Sequence, residues 1–145
     1  MATIKKVQVS TRWNGGFKVE CKSRDLTYYV DQPKEGGGEN TGPTPVEYLF
    51  ASLASCLTQI GLMVIREQKL NIKGLEVDVQ GELDMEVLMG KKKEPRAGFN
   101  NIVATVKIDG ELSEEAKHKF LEEVDARCPI SDNLMNLTPV IVKLG

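Results

Sequence analysis

The chain has 145 residues, a formal net charge of −2 at pH 7 and three cysteines. A chain of this length is most economically a single domain, residues 1–145, and a domain of this size buries about 70% of the surface that its unfolded form exposes. The near-neutral charge argues against a nucleic-acid partner, which needs a strongly basic face, and three cysteines are too few, and odd in number, for a secreted disulfide framework.

The N-terminal part of the chain has the alternating pattern of β-strands. Residues 3–13 alternate, residues 14–16 (Asn-Gly-Gly) form a turn signal, and residues 17–21 alternate again, which together predict a hairpin. A third strand is predicted at 26–31. The glycine-rich segment 33–43 cannot continue a strand, and it is either a mobile flap or, as such segments more often are, a plain flexible connection.

A long apolar helix is predicted after the glycine-rich segment. Thr44 and Glu47 have the capping-box arrangement, with Pro45 at the first helical position, and we expect the helix to end near Lys69. Residues 48–65 carry no charge and are long enough to suggest a membrane span, but they include several polar residues and no second such segment exists. A buried central helix is therefore the preferred interpretation. Because one small sheet cannot cover a helix that is apolar all round, we also expect dimerisation around it.

The second half of the chain alternates strands and helices. Strands are predicted at 75–87 and 102–108, and Ser113 followed by two glutamates is typical of a helix N-terminus. A short helix is predicted at 129–135 and a last strand at 139–144. The order of elements predicts an α+β fold with a mainly antiparallel sheet around the long helix.

The three cysteines lie in different settings. Cys21 is in phase with apolar strand positions and is predicted to be a core residue. Cys56 lies in the apolar helix among serines and a glutamine, and such small polar neighbours leave room either for a substrate or for a close helix crossing. Cys128 precedes Pro129 at a predicted helix N-terminus, which can stabilise a thiolate, although a cysteine can also simply replace Ser or Asn as the cap. The contrast between Cys56 and Cys128 makes thiol redox chemistry the leading hypothesis.

A nucleophilic Cys56 would need a cation, because an apolar pocket raises the pKa of a thiol. Arg12 lies near the end of the predicted hairpin and can supply a guanidinium, and Glu47 lies on a neighbouring face of the long helix and can orient it. Each has a simpler explanation: a solvated hairpin charge for Arg12 and the capping box for Glu47. One histidine and three dispersed cysteines do not have metal-site spacing, and no nucleotide-binding glycine motif is present, so we predict no metal and no cofactor.

Two stretches of the chain, taken together, resemble one family. Gly42-Pro-Thr-Pro-Val-Glu-Tyr-Leu with Ala54-Ser-Cys-Leu, followed by Cys128-Pro-Ile-Ser, resembles the OsmC/Ohr family of thiol-dependent hydroperoxide reductases. The Arg12-Trp hairpin and the Glu94-Pro-Arg segment extend the resemblance over essentially the whole chain. The two-cysteine pattern is specific, although either half alone would not be. The resemblance implies an OsmC-like α+β fold and an intertwined homodimer, with the two long helices central and two sites at the interface.

The resemblance also implies roles for four residues. Cys56 resembles the peroxidatic thiol, Cys128 the resolving thiol, and Arg12 and Glu47 the pair that holds the thiolate. The implied activity is the reduction of alkyl or lipid hydroperoxides to alcohols through a Cys56 sulfenic acid and a Cys56–Cys128 disulfide, which an external dithiol or a dihydrolipoyl protein reduces. The glycine-rich segment and the short Glu47–Cys56 spacing are closer to the broad OsmC-like branch than to the organic hydroperoxide resistance branch.

Two other functions remain open from the sequence. One is a non-catalytic module that binds a small apolar ligand, and the other is a redox-sensing or structural dimer whose disulfide does not turn over. No basic region followed by an apolar one opens the chain, so we expect a cytoplasmic protein with no membrane partner. Persistent disulfides in the cytoplasm tend to be catalytic or redox-sensing.

Overall fold

The computed structural model describes residues 1–145, which form two compact units, Met1–Leu49 and Phe50–Gly145. Each unit contains one antiparallel sheet, of three strands in the first and two in the second. The long helix runs from the end of the first unit into the second. The predicted α+β class, with antiparallel sheets and a long helix, is confirmed.

The sheet of the first unit is a meander of strands β1 (Ser10–Trp13), β2 (Val19–Ser23) and β3 (Leu26–Val30). The predicted hairpin turn is confirmed, with Gly15 and Gly16 at φ values of 81° and 55°. Glycine adopts such left-handed conformations at little cost, which explains the turn signal in the sequence. The first strand is shorter than predicted, because the residues before Ser10 form no strand and are exposed.

The glycine-rich segment of the first unit is anchored by Asp31. This carboxylate is only 1% exposed and accepts hydrogen bonds from the backbone N–H groups of Gln32 (2.8 Å), Glu39 (3.2 Å) and Thr41 (3.1 Å) and from the Thr41 hydroxyl (2.7 Å). The hydroxyl bond is the main cause that lowers the pKa of Asp31 to about 2. The segment is therefore an anchored loop, in contrast to the flap or flexible connection that the sequence predicted.

The long helix, α1 (Pro45–Gln68), begins as predicted. Thr44 Oγ1 accepts the Glu47 N–H at 3.3 Å and Glu47 Oε2 accepts the Thr44 N–H at 2.7 Å, which completes the capping box. The helix is buried on one face only: the buried residues are Leu53, Leu57, Gly61 and Val64. Leu62 and Met63 are 46% and 51% exposed, so the single chain leaves part of this apolar helix uncovered, and its cover by a second chain stays a prediction. By length and composition α1 could also cross a membrane, but core helices pass the same test.

The second unit contains a long hairpin and three further helices. These are β4 (Ile72–Gly81), α2 (Met85–Leu88), β5 (Ile102–Gly110), α3 (Glu114–Arg127) and α4 (Pro129–Met135). The predicted strand 75–87 is too long, since Asp84 accepts the Glu86 N–H at 2.9 Å and caps a helical turn there. The predicted last strand, 139–144, is absent, and its apolar residues are exposed.

The core of the second unit lies between α1 and α3. Its buried cluster consists of Leu53, Leu57, Val64, Phe120, Val124 and Cys128, with Cys56 packed against it. The packing is close at Gly61, because a Cβ there would lie 2.9 Å from Leu75 Cδ1 and 3.3 Å from Phe120 Cζ. This packing brings the middle of α1 next to the end of α3.

Candidate active site

Cys56 and Cys128 are in direct contact in the second unit. Cys56 lies in the middle of α1, and Cys128 is the single residue between α3 and α4, with φ −83° and ψ 109°. The two side chains are close enough for Cys128 to raise the pKa of Cys56 through hydrogen bonding and charge, and both cysteines are free thiols. The structure thus brings together the two residues that the sequence selected as a redox pair.

The two thiols differ in their access to solvent. Cys128 is 1% exposed, whereas Cys56 is half-buried. Cys56 is therefore the more exposed residue of the two, while Cys128 belongs to the buried core. This asymmetry suits a first reaction at Cys56 and a second between the two sulfurs.

Cys128 caps α4, as predicted. Its Sγ accepts the Ser131 N–H at 3.4 Å, and Pro129 occupies the first turn, where its missing N–H costs no hydrogen bond. The Cys128 N–H in turn donates to the Asp125 carbonyl at 3.2 Å, which closes the end of α3. The same residue therefore ends one helix and begins the next, and the direction of its side chain depends on both.

The surroundings of Cys56 favour its neutral thiol. Burial is the largest cause that raises the pKa of Cys56, followed by the hydrogen bond with Cys128, and negative charge on Cys128 adds to the increase. The backbone N–H of Ile130 bonds to Cys56 and acts in the opposite direction. Sequence reasoning missed this donor, although the free N–H groups of the first turn of a predicted helix were a signal for it.

Arg12 and Glu47 lie in the first unit and have partners other than each other. Arg12 Nη2 is 3.5 Å from Glu20 Oε1, and the two residues are opposite one another in the β1–β2 register. The carboxylate of Glu47 bonds to the Thr44 N–H in the capping box. The structure therefore does not join the predicted Arg12–Glu47 pair, and a role of either residue beside Cys56 stays a prediction.

Cys21 lies apart from this chemistry. It is on β2 and is 4% exposed, which confirms the prediction of a core residue. The chain has no group of three or more His, Cys, Asp or Glu side chains arranged to hold a metal ion.

The second unit contains two apolar cavities near the helices that carry the cysteine pair. One of about 220 Å³ is lined by Leu53, Leu57, Ile102, Ala104, Asp125, Ser131, Leu134 and Met135. Ser131 borders this cavity and donates its N–H to Cys128 Sγ, so one residue links the cavity to Cys128. The second, about 260 Å³, shares Leu57, Ala104 and Asp125 with the first. Both can accept a small, mostly apolar molecule.

Comparison with known proteins identifies the family. The family model described as OsmC-like protein matches residues 37–143. The fold is similar to that of an OsmC-like protein from Mycoplasma pneumoniae, with a TM-score of 0.79 and 21% identity over 93% of this chain and 91% of that one. It is also similar to an organic hydroperoxide resistance protein OsmC from Legionella pneumophila (TM-score 0.67, 19% identity, 92% and 91% covered).

An organic hydroperoxide resistance protein from Elizabethkingia anophelis has the same fold, with a TM-score of 0.66 and 23% identity over 91% of this chain and 89% of that one. A comparison with curated protein sequences gave no match. The family model covers most of the chain, including both cysteines of the contact pair. The chain therefore belongs to the OsmC-like protein family.

Proposed function

We propose that this protein is a cysteine-based peroxidase that reduces organic hydroperoxides to alcohols. The observation that carries the proposal is the contact between a half-buried Cys56 and a fully buried Cys128. Two structures of the same fold are of proteins named organic hydroperoxide resistance proteins, which supports this chemistry.

The proposed reaction has two steps on the protein. The Cys56 thiolate attacks the distal oxygen of the hydroperoxide and breaks the O–O bond, and the alkoxide that leaves takes a proton to become the alcohol. Cys56 is now a sulfenic acid. The Cys128 thiolate attacks the Cys56 sulfur and expels hydroxide, which becomes water with a proton, and the disulfide prevents further oxidation. An external dithiol, such as a dihydrolipoyl protein, then reduces the disulfide by exchange.

Activation of Cys56 is the step that needs help, because its own unit raises the pKa of the thiol. The Ile130 N–H provides one stabilising bond to the thiolate. On the basis of the family resemblance, we assign the cation to Arg12 and its orientation to Glu47. This assignment supplies the positive charge that a buried thiolate requires.

The substrate is proposed to be an apolar hydroperoxide. The two cavities of the second unit are lined mainly by aliphatic side chains, so an alkyl chain gains free energy by leaving water there, whereas hydrogen peroxide has no alkyl part. We therefore expect faster consumption of cumene hydroperoxide than of hydrogen peroxide.

The functional unit is proposed to be a homodimer in the cytoplasm. Apolar residues on α1 and in both terminal segments are exposed in the single chain, among them Leu62, Met63, Val7 and Val140. Exposed apolar surface of this extent is typical of an interface, and a second copy of the chain is the partner that the family resemblance implies.

Turnover of cumene hydroperoxide with a dithiol reductant tests the function. We expect Cys56→Ser to abolish turnover and Cys128→Ser to react once and then accumulate over-oxidised Cys56. Cys21→Ser is the matched control, since it removes a buried thiol outside the pair and should retain turnover. Full peroxide turnover by Cys56→Ser would refute the proposal.

An apolar ligand-binding module is the second candidate, and the two cavities are the observation that favours it. Thiol titration after one equivalent of hydroperoxide separates the two functions. The peroxidase loses the Cys56 and Cys128 thiols together, whereas a binding module retains both.

A further inference from the structure

We propose that the ion pair between Glu67 and Arg127 is a positioning device that holds Cys128 against Cys56 and so favours their disulfide. Its use in catalysis rests on the proposed function, but its effect on the disulfide does not. Glu67 lies in the last turn of α1, the helix that carries Cys56, and Arg127 is the last residue of α3, directly before Cys128.

The contact between Glu67 and Arg127 is bidentate. Arg127 Nη1 lies 2.7 Å from Glu67 Oε2, and Nη2 lies 3.0 Å from Oε1. The hydrogen bond from Arg127 lowers the pKa of Glu67, and the bond to Glu67 raises the pKa of Arg127, so both groups are charged at neutral pH. Two parallel bonds between planar groups constrain direction as well as distance, which a single contact would not do.

This ion pair joins the two elements that carry the thiols. The turn at Cys128 has bonds of its own, since Ser131 Oγ donates to Asp125 Oδ1 at 2.5 Å and the Cys128 N–H donates to the Asp125 carbonyl. Those bonds fix the shape of the turn. The bond from Arg127 to Glu67 fixes that turn against α1, and with it the position of Cys128 relative to Cys56.

Glu123 provides an internal comparison for Glu67. Its Oε1 is 3.4 Å from Arg127 Nη1, but Glu123 is one turn earlier on α3 itself. Both glutamates therefore contact the same guanidinium, yet only the Glu67 contact crosses between helices. A positioning role predicts that the loss of Glu67 weakens the disulfide and that the loss of Glu123 does not.

Equilibrium with glutathione measures this effect without peroxide. The experiment uses a Cys21→Ser background. One molecule of oxidised glutathione accepts two electrons from the Cys56 and Cys128 thiols and becomes two molecules of reduced glutathione, while the two thiols form the disulfide. The ratio of disulfide to dithiol protein gives the effective concentration of the pair. We expect Glu67→Gln and Arg127→Gln to lower it by about threefold to tenfold, in the lower part of the range of coupling energies between neighbouring groups. A tenfold loss corresponds to about 30 mV in the reduction potential.

Further variants separate positioning from a general loss of stability. Glu123→Gln should change the effective concentration by less than about twofold, as expected of an exposed pair within one helix. Arg127→Lys should give an intermediate value, because an ammonium cannot make the bidentate contact. The double variant Glu67→Arg/Arg127→Glu exchanges the two charges, and it should recover part of the effective concentration that the single variants lose.

The proposal is overturned if Glu67→Gln and Arg127→Gln leave the effective concentration unchanged, or if Glu123→Gln lowers it as much. The rate at which cumene hydroperoxide consumes the Cys56 thiol is measured separately and should not fall below that of the wild type in any of these variants, because Cys128 raises the pKa of Cys56 and a less firmly held Cys128 does so less. Absence of that reaction in the wild type would refute the peroxidase function, while the glutathione titration would still decide the role of the ion pair.

Discussion

At the scale of single residues, the reactivity of Cys56 depends on the sulfur next to it. Burial, the hydrogen bond with Cys128 and negative charge on Cys128 all raise the pKa of Cys56, and the last two act only while Cys128 is present. The titrations of the two thiols are thus coupled before any oxidation occurs. In the proposed mechanism, the thiol that resolves the sulfenic acid also makes the attacking Cys56 thiolate scarcer.

The coupling predicts the effect of Cys128→Ala on the titration of Cys56. Removal of two causes that raise the pKa should shift the midpoint of Cys56 alkylation by iodoacetamide to lower pH. The measurement is the alkylation rate against pH, with the modified residue identified by mass spectrometry, and Cys21→Ala is the control for loss of a buried thiol. A midpoint that stays in place or moves to higher pH would contradict the coupling.

Asp31 predicts a second pH dependence, of stability. Its pKa is lowered from 3.8 to about 2 in the folded chain, so its charged form stabilises the fold fully above pH 3.8, and this contribution is lost as the pH falls to about 2. Asp31→Asn should lower the Tm at neutral pH by several degrees, since an amide NH₂ cannot accept these bonds. Thermal unfolding from pH 7 to pH 2 checks this. The difference in Tm between Asp31→Asn and wild type should shrink in acid. Asp25 lies in an exposed turn, so Asp25→Asn should have the Tm of the wild type at every pH.

At the scale of elements, the glycine-rich loop connects β3 to α1 through close backbone packing. A Cβ on Gly42 would overlap the carbonyl oxygen of Tyr29, which also accepts the Tyr48 hydroxyl at 2.9 Å. The loop therefore has little room to move away from the strand without loss of this bond. Glycine at this position is required by the close approach and does not indicate flexibility.

Gly42→Ala and Gly36→Ala test this packing as a matched pair. Gly42→Ala should reduce the free energy of unfolding by about 2 kcal/mol, because the new methyl group forces the backbones apart. Gly36 lies in the same loop, and the nearest atoms to its Cβ would be 3.6 Å away, so Gly36→Ala should change stability by less than about 0.5 kcal/mol. Urea unfolding provides the comparison, and equal effects of the two substitutions would show that the close approach is not limiting.

The second hairpin shows why element boundaries were harder to predict than element types. Apolar alternation continues through residues 83, 85 and 87, which made the predicted strand too long. The strand ends at Gly81 because the Asp84 side chain caps a helical turn, a local hydrogen bond that competes with strand geometry. Alternation over so few residues cannot distinguish a continued strand from a short helical turn.

At the scale of the whole molecule, the exposed face of α1 predicts association. We expect light scattering to give twice the mass of the chain. Met63→Glu should favour the monomer, because it places a charge on the apolar face. Gln68→Glu adds the same charge on another face of α1 and should leave the dimer intact. A monomeric wild type at micromolar concentration would contradict the homodimer.

The terminal segments show the limit of pattern recognition in one chain. Residues 3–9 and 139–144 alternate as strands do, yet Ile141 and Val142 are 84% and 94% exposed and neither segment pairs. A strand needs a partner for its backbone groups, and alternation does not say where that partner is. The apolar pattern is real, but nothing within the single chain covers it.

The sequence by itself determined the features that depend on near neighbours: the Gly15–Gly16 turn, the capping box of α1, Cys128 as the cap of α4, and the family. Only the tertiary structure decided that Cys56 and Cys128 lie together, that Cys56 is the more exposed of the two, and that Glu67 and Arg127 join their helices. The reason is physical. Caps and turns use hydrogen bonds between residues a few positions apart, whereas these contacts exist only because α1 and α3 pack around one core.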